Sequence, residues 1–360
     1  MKKALSFLLA ALFVFGCACP VFAEDSAETG SFTLVNYNVD GLPIPKSLSS
    51  TGRDPAAASK QIGAKLKQLN ADIYAVQEDF NYHSTIKKGL DADYTTLHNG
   101  AVPFGDGLNF FSRFPLYNVH RETWNEACGV FTDGSDELTP KGFLCSSFAL
   151  ADGVYLDVYV LHADAYSGEG NTAARLSQYE QLMTYVNRYS AGHAVILTGD
   201  FNSYFSQPQN KLREIFVERE GFKEAWIEIN YQGNYNTGTL PHPDYHKPEW
   251  ADNGRWGVWD SAEKMFYRDA DGVSLQALQC DYIRIEDENG QSLSDHNAQI
   301  GVFQFTVDRS ALRDTRTYNA ERFRPLRTAY RRMKYLFKAL GLILRDLPKV
   351  ISGEIKIEIK

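Results

Sequence analysis

Cysteine is scarce in this chain of 360 residues: there are five, and Cys17 and Cys19 fall within the first twenty positions. The remaining three, Cys128, Cys145 and Cys280, form no Cys-x-x-Cys pair, which argues against a structural zinc site or a dithiol redox centre. A Cys128–Cys145 bridge that leaves Cys280 over is one reading in an oxidising compartment, and three separate thiols are the other. Positive charge is also short, with a formal net charge of −8. Residues 309–360 hold 14 Lys/Arg against 5 Asp/Glu, a net of +9, so the first 308 residues carry −17. A protein that binds by neutralising many phosphates usually presents a basic face. The acidic body weakens a nucleic-acid reading and leaves room only for a local basic groove. Internal repeats and low-complexity tracts are missing as well, which excludes solenoid and array architectures.

Long apolar runs are limited to residues 4–15, which follow Met1-Lys2-Lys3 and end before Val21-Phe22-Ala23. This is the layout of a signal peptide over residues 1–23, cleaved before Glu24, and it predicts a secreted or extracytoplasmic protein. The run falls short of the roughly 20 apolar residues that a membrane span requires. Retention as an uncleaved span, or lipoprotein anchoring through Cys17, are the competing readings. Polar motifs scattered from Asn38 to His296 favour one catalytic domain over residues 24–308, followed by a basic extension over 309–360.

Apolar runs that stop at polar clusters organise that domain. Residues 32–35 read as a buried strand ending at Asn36, and residues 72–76 as a second one ending at Gln77-Glu78. Between them, Ala58, Ile62, Leu66 and Leu69 give residues 56–69 helical periodicity, and the same reading makes 171–188 a helix. Further strands are expected at 108–111, 154–161, 194–198, 264–268, 273–285 and 299–305. In α/β sheets ligands bind at strand ends. Here those ends deliver Asn38 and Asp40, Glu78, His162, Gly199-Asp200-Phe201-Asn202 and Ser294-Asp295-His296.

Taken singly, each position has a use. Glu78 offers a hard oxygen ligand suited to Mg²⁺. Asn38 can hold a metal or a phosphate oxygen, and Asp40 can add a further carboxylate. Asp200, following a glycine, can orient or deprotonate a water, and Asn202 on the same turn can steady the developing charge. His296 and His162 can bind the phosphate from two sides or pass protons, with Asp295 beside the metal.

The ordered set Asn38-Val39-Asp40-Gly41-Leu42, Val76-Gln77-Glu78, Leu161-His162, Gly199-Asp200-Phe201-Asn202 and Ser294-Asp295-His296 resembles the endonuclease/exonuclease/phosphatase superfamily over residues 31–306. Residues 77–83, 138–143 and 161–165 look like its secreted bacterial and fungal members. The resemblance implies an α/β (α+β) four-layer sandwich, two packed mixed β-sheets flanked by helices, and a hydrolase that acts on phosphoesters with Mg²⁺, or Mn²⁺ or Ca²⁺. It also suggests Asn81 and His83 as residues lining the substrate pocket.

One position departs from the family pattern, which carries an aspartate to orient the final histidine. Asp281 imitates it, but only 14 residues separate it from Asp295, too few for the two strands and a turn that belong there. A hairpin over 264–284 supplies those strands earlier and puts Glu263 in the orienting position, with Asp281 as runner-up. In the tail, Leu326, Tyr330, Met333, Phe337, Leu340, Leu344 and Leu347 alternate spacings of four and three among Arg and Lys, a basic amphipathic helix that Pro348 should stop. It can lie on an anionic membrane through residues 324–347, or dock on the acidic body. Ile355, Ile357 and Ile359 suggest a short strand beyond it. Export, the acidic body and this tail favour a sphingomyelinase-like phosphodiesterase acting on phospholipid, and Trp250, Trp256 and Trp259 could add a membrane-contacting loop. A secreted nuclease, a phosphomonoesterase and a non-catalytic binding module are the alternatives.

Overall fold

The computed structural model describes residues 28–49, 51–235 and 261–355. The leader with Cys17, the tryptophans at 250, 256 and 259, and the isoleucines at 357 and 359 lie outside the described residues.

Among the described residues twelve strands form two six-stranded sheets. The first contains β1 (Glu28–Asn38), β2 (Ile73–Gln77), β3 (Tyr94–Thr95), β4 (Asn109–Ser112), β11 (Val273–Ile283) and β12 (Ala298–Val307), in the order β11-β12-β1-β2-β4-β3. The second contains β5 (Leu116–Thr123), β6 (Gly142–Ala151), β7 (Val154–His162), β8 (Ala194–Asp200), β9 (Lys223–Glu224) and β10 (Glu263–Arg268), in the order β5-β6-β7-β8-β10-β9. Each sheet has one parallel pair near its middle, β1 with β2 and β7 with β8; the other pairs are antiparallel. The strands of these pairs are buried on both faces toward their C-terminal ends, which is why they read as continuous apolar runs.

Phe32, Leu34, Phe110, Phe148, Leu156, Ile196 and Phe303 fill the space between the sheets. The outer face of the first sheet is covered by α1 (Pro55–Leu69) and α2 (His83–Leu90), through Ile62, Leu66 and Ile86. The outer face of the second meets α3 (Glu169–Tyr189), through Tyr179, Leu182 and Val186, and a π-helical segment, Arg213–Arg219, through Phe216. A short helix, α4 (Ala225–Asn230), closes one end. The expected four-layer sandwich is therefore the architecture observed. Local chemistry sets the boundaries of α1: the Asp54 carboxylate accepts the Ala57 N–H, Pro55 opens the first turn, and Asn70 leaves in the left-handed conformation at φ 55°. Among the described residues no helix is long and apolar enough to cross a membrane.

At three points the structure departs from the sequence reading or decides between its alternatives. Strands β3, β5, β6 and β9 and helices α2 and α4 are additional to the expected elements: β3 and β9 are two residues each, β5 is a half-buried polar edge strand and α2 is only eight residues long. Cys128 and Cys145 are not joined. Cys145 sits inside the β5–β6 ladder opposite His120, whereas Cys128 lies beyond the ladder's end against Gly170. The tail helix, α5 (Pro325–Ile351), does not stop at Pro348. This proline falls in the last turn, where it forfeits a single intrahelical bond and its carbonyl still accepts the Ser352 N–H.

Candidate active site

Strand register assembles the site. Asn38 lies opposite Gln77 where β1 and β2 end together, and His162 lies opposite Asp200 where β7 and β8 end. Because β10 runs antiparallel to β8, its first residue rather than its last reaches this end, which sets Glu263 opposite Asp200. A buried amide relay ties the two sheets together beneath. Gln77 Nε2 donates to Asn36 Oδ1 (2.8 Å), and Asn36 Nδ2 donates across the sandwich to the Gly199 carbonyl (3.2 Å). Ser294 performs a similar service for the last motif. Its hydroxyl donates to the Asn38 carbonyl (2.7 Å) and accepts the His296 N–H (3.1 Å), pinning the histidine's turn to the end of β1.

Asp200 is at the centre. Its Oδ1 accepts the Asn202 N–H (2.9 Å), and its Oδ2 lies 3.6 Å from His162 Nε2 and 3.7 Å from His296 Nε2. Asn38 Nδ2 donates to Glu78 Oε1 (3.0 Å) and reaches Asp200 Oδ2 at 3.3 Å, so one amide links two buried carboxylates. His296 Nδ1 stands 2.5 Å from Glu263 Oε1, whose other oxygen accepts the Ser261 hydroxyl. Burial, with the Glu263 charge adding to it, raises the Asp200 carboxyl above its ordinary range despite the opposing pull of His296. Burial would also lower the His296 pKa, but Asp295, Glu263 and Asp200 together hold it well above the usual imidazole value. For Glu263 burial is again opposed, and here the charge and hydrogen bond of His296 win and keep the carboxylate low. The histidine is thus biased toward its charged form, and of Asp200 and Glu263 it is Asp200 whose carboxyl is raised.

Of the expected site residues, His162, Asp200, Glu263, His296, Glu78 and Asn38 converge. Asp281, the runner-up for the orienting position, sits opposite Ile300 in the β11–β12 ladder, and its carboxylate accepts the Gln279 amide (2.5 Å). Asn202 spends one amide hydrogen on the Ala163 carbonyl (3.1 Å). Asp295 Oδ1 is 3.7 Å from His296 Nε2. Asp40, Glu78 and Asn202 all adopt left-handed backbone, at φ 47°, 57° and 48°, a conformation that costs non-glycine residues energy and concentrates at functional sites. His83 and Asn81 are engaged elsewhere. His83 Nδ1 bonds Asp79 (2.6 Å) with its ring stacked between His98 and Phe111, and Asn81 Oδ1 accepts the Val102 N–H (3.3 Å).

The donor set suits a hard divalent cation. Among the described residues no lysine or arginine is bonded to Glu78, Asp200 or Glu263, all three of them buried. Such a concentration of carboxylate calls for a counter-charge beyond two imidazoles. Asp200, Glu263 and His296 bring ligand atoms within 4.8 Å of one another and could hold a metal. The short Glu263–His296 contact makes those two a carboxylate–imidazole dyad, however, which leaves Glu78 as the better oxygen donor. Asn38 turns its Nδ2 to the carboxylates and its Oδ1 back to the Asp40 N–H (3.1 Å), and that oxygen keeps a second lone pair with which to meet a cation or a phosphate.

Asn36, Gln77, Ser261 and Ser294 are the parts that sequence reasoning passed over as contributors. Asn36 was marked only as a strand end; a polar residue inside an otherwise apolar run is the signal that points to such a relay.

Comparison with known proteins accords with this geometry. Residues 35–296 match the model of the Endonuclease/Exonuclease/phosphatase family. Over 297 residues the chain is 35% identical to the protein named sphingomyelinase in Mycobacterium tuberculosis strain H37Rv, covering 79% of this chain and 55% of that protein, and a protein of the same name in Mycobacterium bovis matches equally. The chain therefore spans about half the length of the curated relatives it matches. Two solved structures share the fold at low identity. An endonuclease/exonuclease/phosphatase family protein of Bacteroides thetaiotaomicron has a TM-score of 0.55 at 16% identity, covering 78% of this chain and 100% of that one. D. rerio TDP2 complexed with single strand DNA product has a TM-score of 0.55 at 15% identity, covering 76% and 98%. With its two mixed sheets, its strand-end carboxylates and histidines, and a family match over most of its length, the chain belongs to the Endonuclease/Exonuclease/phosphatase family.

Proposed function

We propose that this protein is a divalent-metal-dependent phosphodiesterase that hydrolyses a sphingomyelin-like phospholipid. The observation that carries the reading is Asp200 held between His162 and His296, with Glu263 backing the second imidazole and Glu78 facing the same space across Asn38. Glu78, together with Asp295, would hold Mg²⁺, with Mn²⁺ or Ca²⁺ as substitutes; when bound, the cation would polarise the phosphate and offset the charge that builds on it. Asp200 orients a water and takes its proton as the new oxygen–phosphorus bond forms. His296, kept cationic by its acidic neighbours, donates to a phosphoryl oxygen, and Glu263 fixes its ring. The second amide hydrogen of Asn202 meets the same developing charge. His162 gives a proton to the departing ester oxygen, and the phosphorus–oxygen bond to the lipid breaks, leaving ceramide and phosphocholine. Action on a lipid outside the cytoplasm fits residues 1–23, which we read as a secretion signal.

The 35% identity to proteins named sphingomyelinase supports lipid over nucleic acid. The nuclease reading keeps the support of the Asn38-Val39-Asp40-Gly41-Leu42 motif and of the fold shared with a DNA-bound neighbour. Purified protein with Mg²⁺ is to be offered sphingomyelin vesicles, plasmid DNA and a soluble phosphomonoester in parallel. Release of phosphocholine, abolished by EDTA and by Asp200→Asn, is the expected result. Nicked plasmid with intact sphingomyelin overturns the lipid reading, release of phosphate from the monoester alone points to a phosphomonoesterase, and inertness toward all three supports a non-catalytic binding module.

A further inference from the structure

Helix α5 is mounted with its apolar side outward. Its protein-facing side is formed by Tyr335, Ala339 and Asp346, with Arg331 partly covered between them and the helix start. The contacts there are polar: Tyr335 Oη donates to the Glu137 carbonyl (3.4 Å), Arg345 pairs with the Glu137 carboxylate (3.1 Å), and Arg332 donates to the Asn99 carbonyl (3.0 Å). On the opposite side Leu326, Tyr330, Met333, Phe337, Leu340 and Leu344 are 45–86% exposed. Leu347 and Ile351, also exposed, carry the stripe to the end of the helix. An apolar stripe of eight residues at alternating spacings of four and three is far more than the scattered exposure a soluble surface carries.

The segment leading to α5 is anchored firmly. Arg316 makes two bonds to the buried Asp157 carboxylate (2.8 and 3.1 Å), the Tyr318 ring stacks on Tyr155 at 3.4 Å, and the backbone of Asn319 pairs with Asn118 of the edge strand β5. Glu321 then accepts the Leu97 N–H (2.7 Å). The helix thereby reaches the loops that hold Asn99 and Glu137, and both loops belong to the catalytic end of the sheets. The first continues to Gly107, whose carbonyl accepts the N–H of Asp79, next to Glu78. The second contains Asp136, whose carboxylate accepts the N–H of Ala165, three residues after His162.

Charge selects the occupant of the stripe. Residues 325–351 contain seven Lys/Arg and one acidic residue, Asp346. Arg327, Arg331, Lys334 and Lys338, with Arg121 and Arg324, line a cleft between the helix and β5. A second copy of the chain could in principle pair with the stripe as a coiled-coil seam, but that would set two such basic helices side by side with no acidic flank on either. An anionic bilayer surface satisfies both features, since it accepts apolar side chains below the headgroups and attracts the cations at their level.

We propose that α5 is an interfacial membrane-docking helix, which inserts its outward apolar stripe into an anionic lipid surface and holds the catalytic end of the protein beside that surface. This does not rest on the proposed hydrolytic function, and it is tested with hydrolysis switched off by EDTA. Full-length protein is sedimented with vesicles of phosphatidylcholine alone or mixed with phosphatidylglycerol, alongside Tyr330→Glu/Phe337→Glu and Arg327→Glu/Lys334→Glu. These side chains make no core contacts, and circular dichroism and the thermal transition confirm that each variant folds. The parent is expected to bind the mixed vesicles and to release with salt, and each variant to bind about tenfold or more weakly. Parent and variants binding alike, a parent that ignores anionic lipid, or a dimer in sedimentation velocity that Tyr330→Glu/Phe337→Glu dissociates without any vesicle binding, each overturns the proposal.

Discussion

Removing the Glu263 carboxylate is the sharpest perturbation of the site. In Glu263→Gln the shape is kept, but the 2.5 Å contact to His296 Nδ1 loses its charge. Glu263 is 3% exposed, so solvent screens the pair little. Leaving one partner of such a buried pair uncompensated costs about 3–5 kcal/mol. The protein can avoid that cost by letting His296 lose its proton, because the pKa of the ring is high only through its three acidic neighbours. A neutral imidazole with a free choice of tautomer no longer presents a fixed cationic donor to phosphate. The expected loss in kcat is about 10²- to 10⁴-fold, the range over which a positioned acid–base group acts. Asp281→Ala removes a carboxylate that sits opposite Ile300 in the β11–β12 ladder and accepts the Gln279 amide, and its loss in kcat is expected to be far smaller than that of Glu263→Gln. Steady-state kinetics on sphingomyelin in mixed micelles, with the His296 ring titrated by NMR in parent and variant, tests both statements. A normal rate with an unshifted His296 in Glu263→Gln, or a collapse in Asp281→Ala instead, refutes the assignment.

Chelation with EDTA should abolish hydrolysis and Mg²⁺ should restore it, while Glu78→Gln raises the Mg²⁺ needed for half-maximal activity by about 10- to 100-fold or more; an unchanged metal titration would remove Glu78 from the ligand set. The Asn36 amide links Gln77 to Gly199 between the sheets, so Asn36→Ala strands buried partners and should cost about 1–3 kcal/mol by urea denaturation. Glu224 is fully buried, and burial raises its carboxyl to about 7 in the folded state against an ordinary 4.5. The folded state therefore holds this proton while the unfolded state has released it, so stability falls as pH rises from about 4.5 to 7, by at most about 3 kcal/mol from this group. Glu224→Gln should flatten that part of the stability–pH curve, and an identical slope in parent and variant would show that Glu224 is not its source.

The sandwich was legible wherever burial on both faces made a strand continuously apolar. Residues 32–35, 154–161 and 194–198 all fall inside observed strands for that reason. Strand β5, with Asn118, His120, Arg121 and Glu122 on a half-buried edge, carries no such signal. Its pairing is decided by the neighbouring strand and by the tail that bonds Asn118, which no local window contains. Counting strands back from His296 puts Glu263 at the head of a strand, and β10 does begin there; β10 and β11, however, are consecutive strands of different sheets and not the hairpin expected over 264–284, because β10 pairs with β8 and β11 with β12. The same count could not tell how the side chains of Asn81 and His83 are spent. His83 packs on His98 and Phe111, a stack made by residues distant in sequence.

The tail shows the limit of periodicity most clearly. An apolar stripe with period 3.5 predicts a helix, and the ordinary inference is that the stripe faces the body of the protein. Here the body offers α5 the Glu137 carboxylate and the Asn99 and Glu137 carbonyls, groups that bind cations and hydroxyls and gain nothing from leucine. Polar complementarity therefore fixes which side docks, and the stripe is turned outward as a consequence. The acidic body and basic tail noted in the sequence are thus not competing with the membrane reading. Their attraction orients the helix, and the orientation is what leaves its apolar side available to a lipid surface.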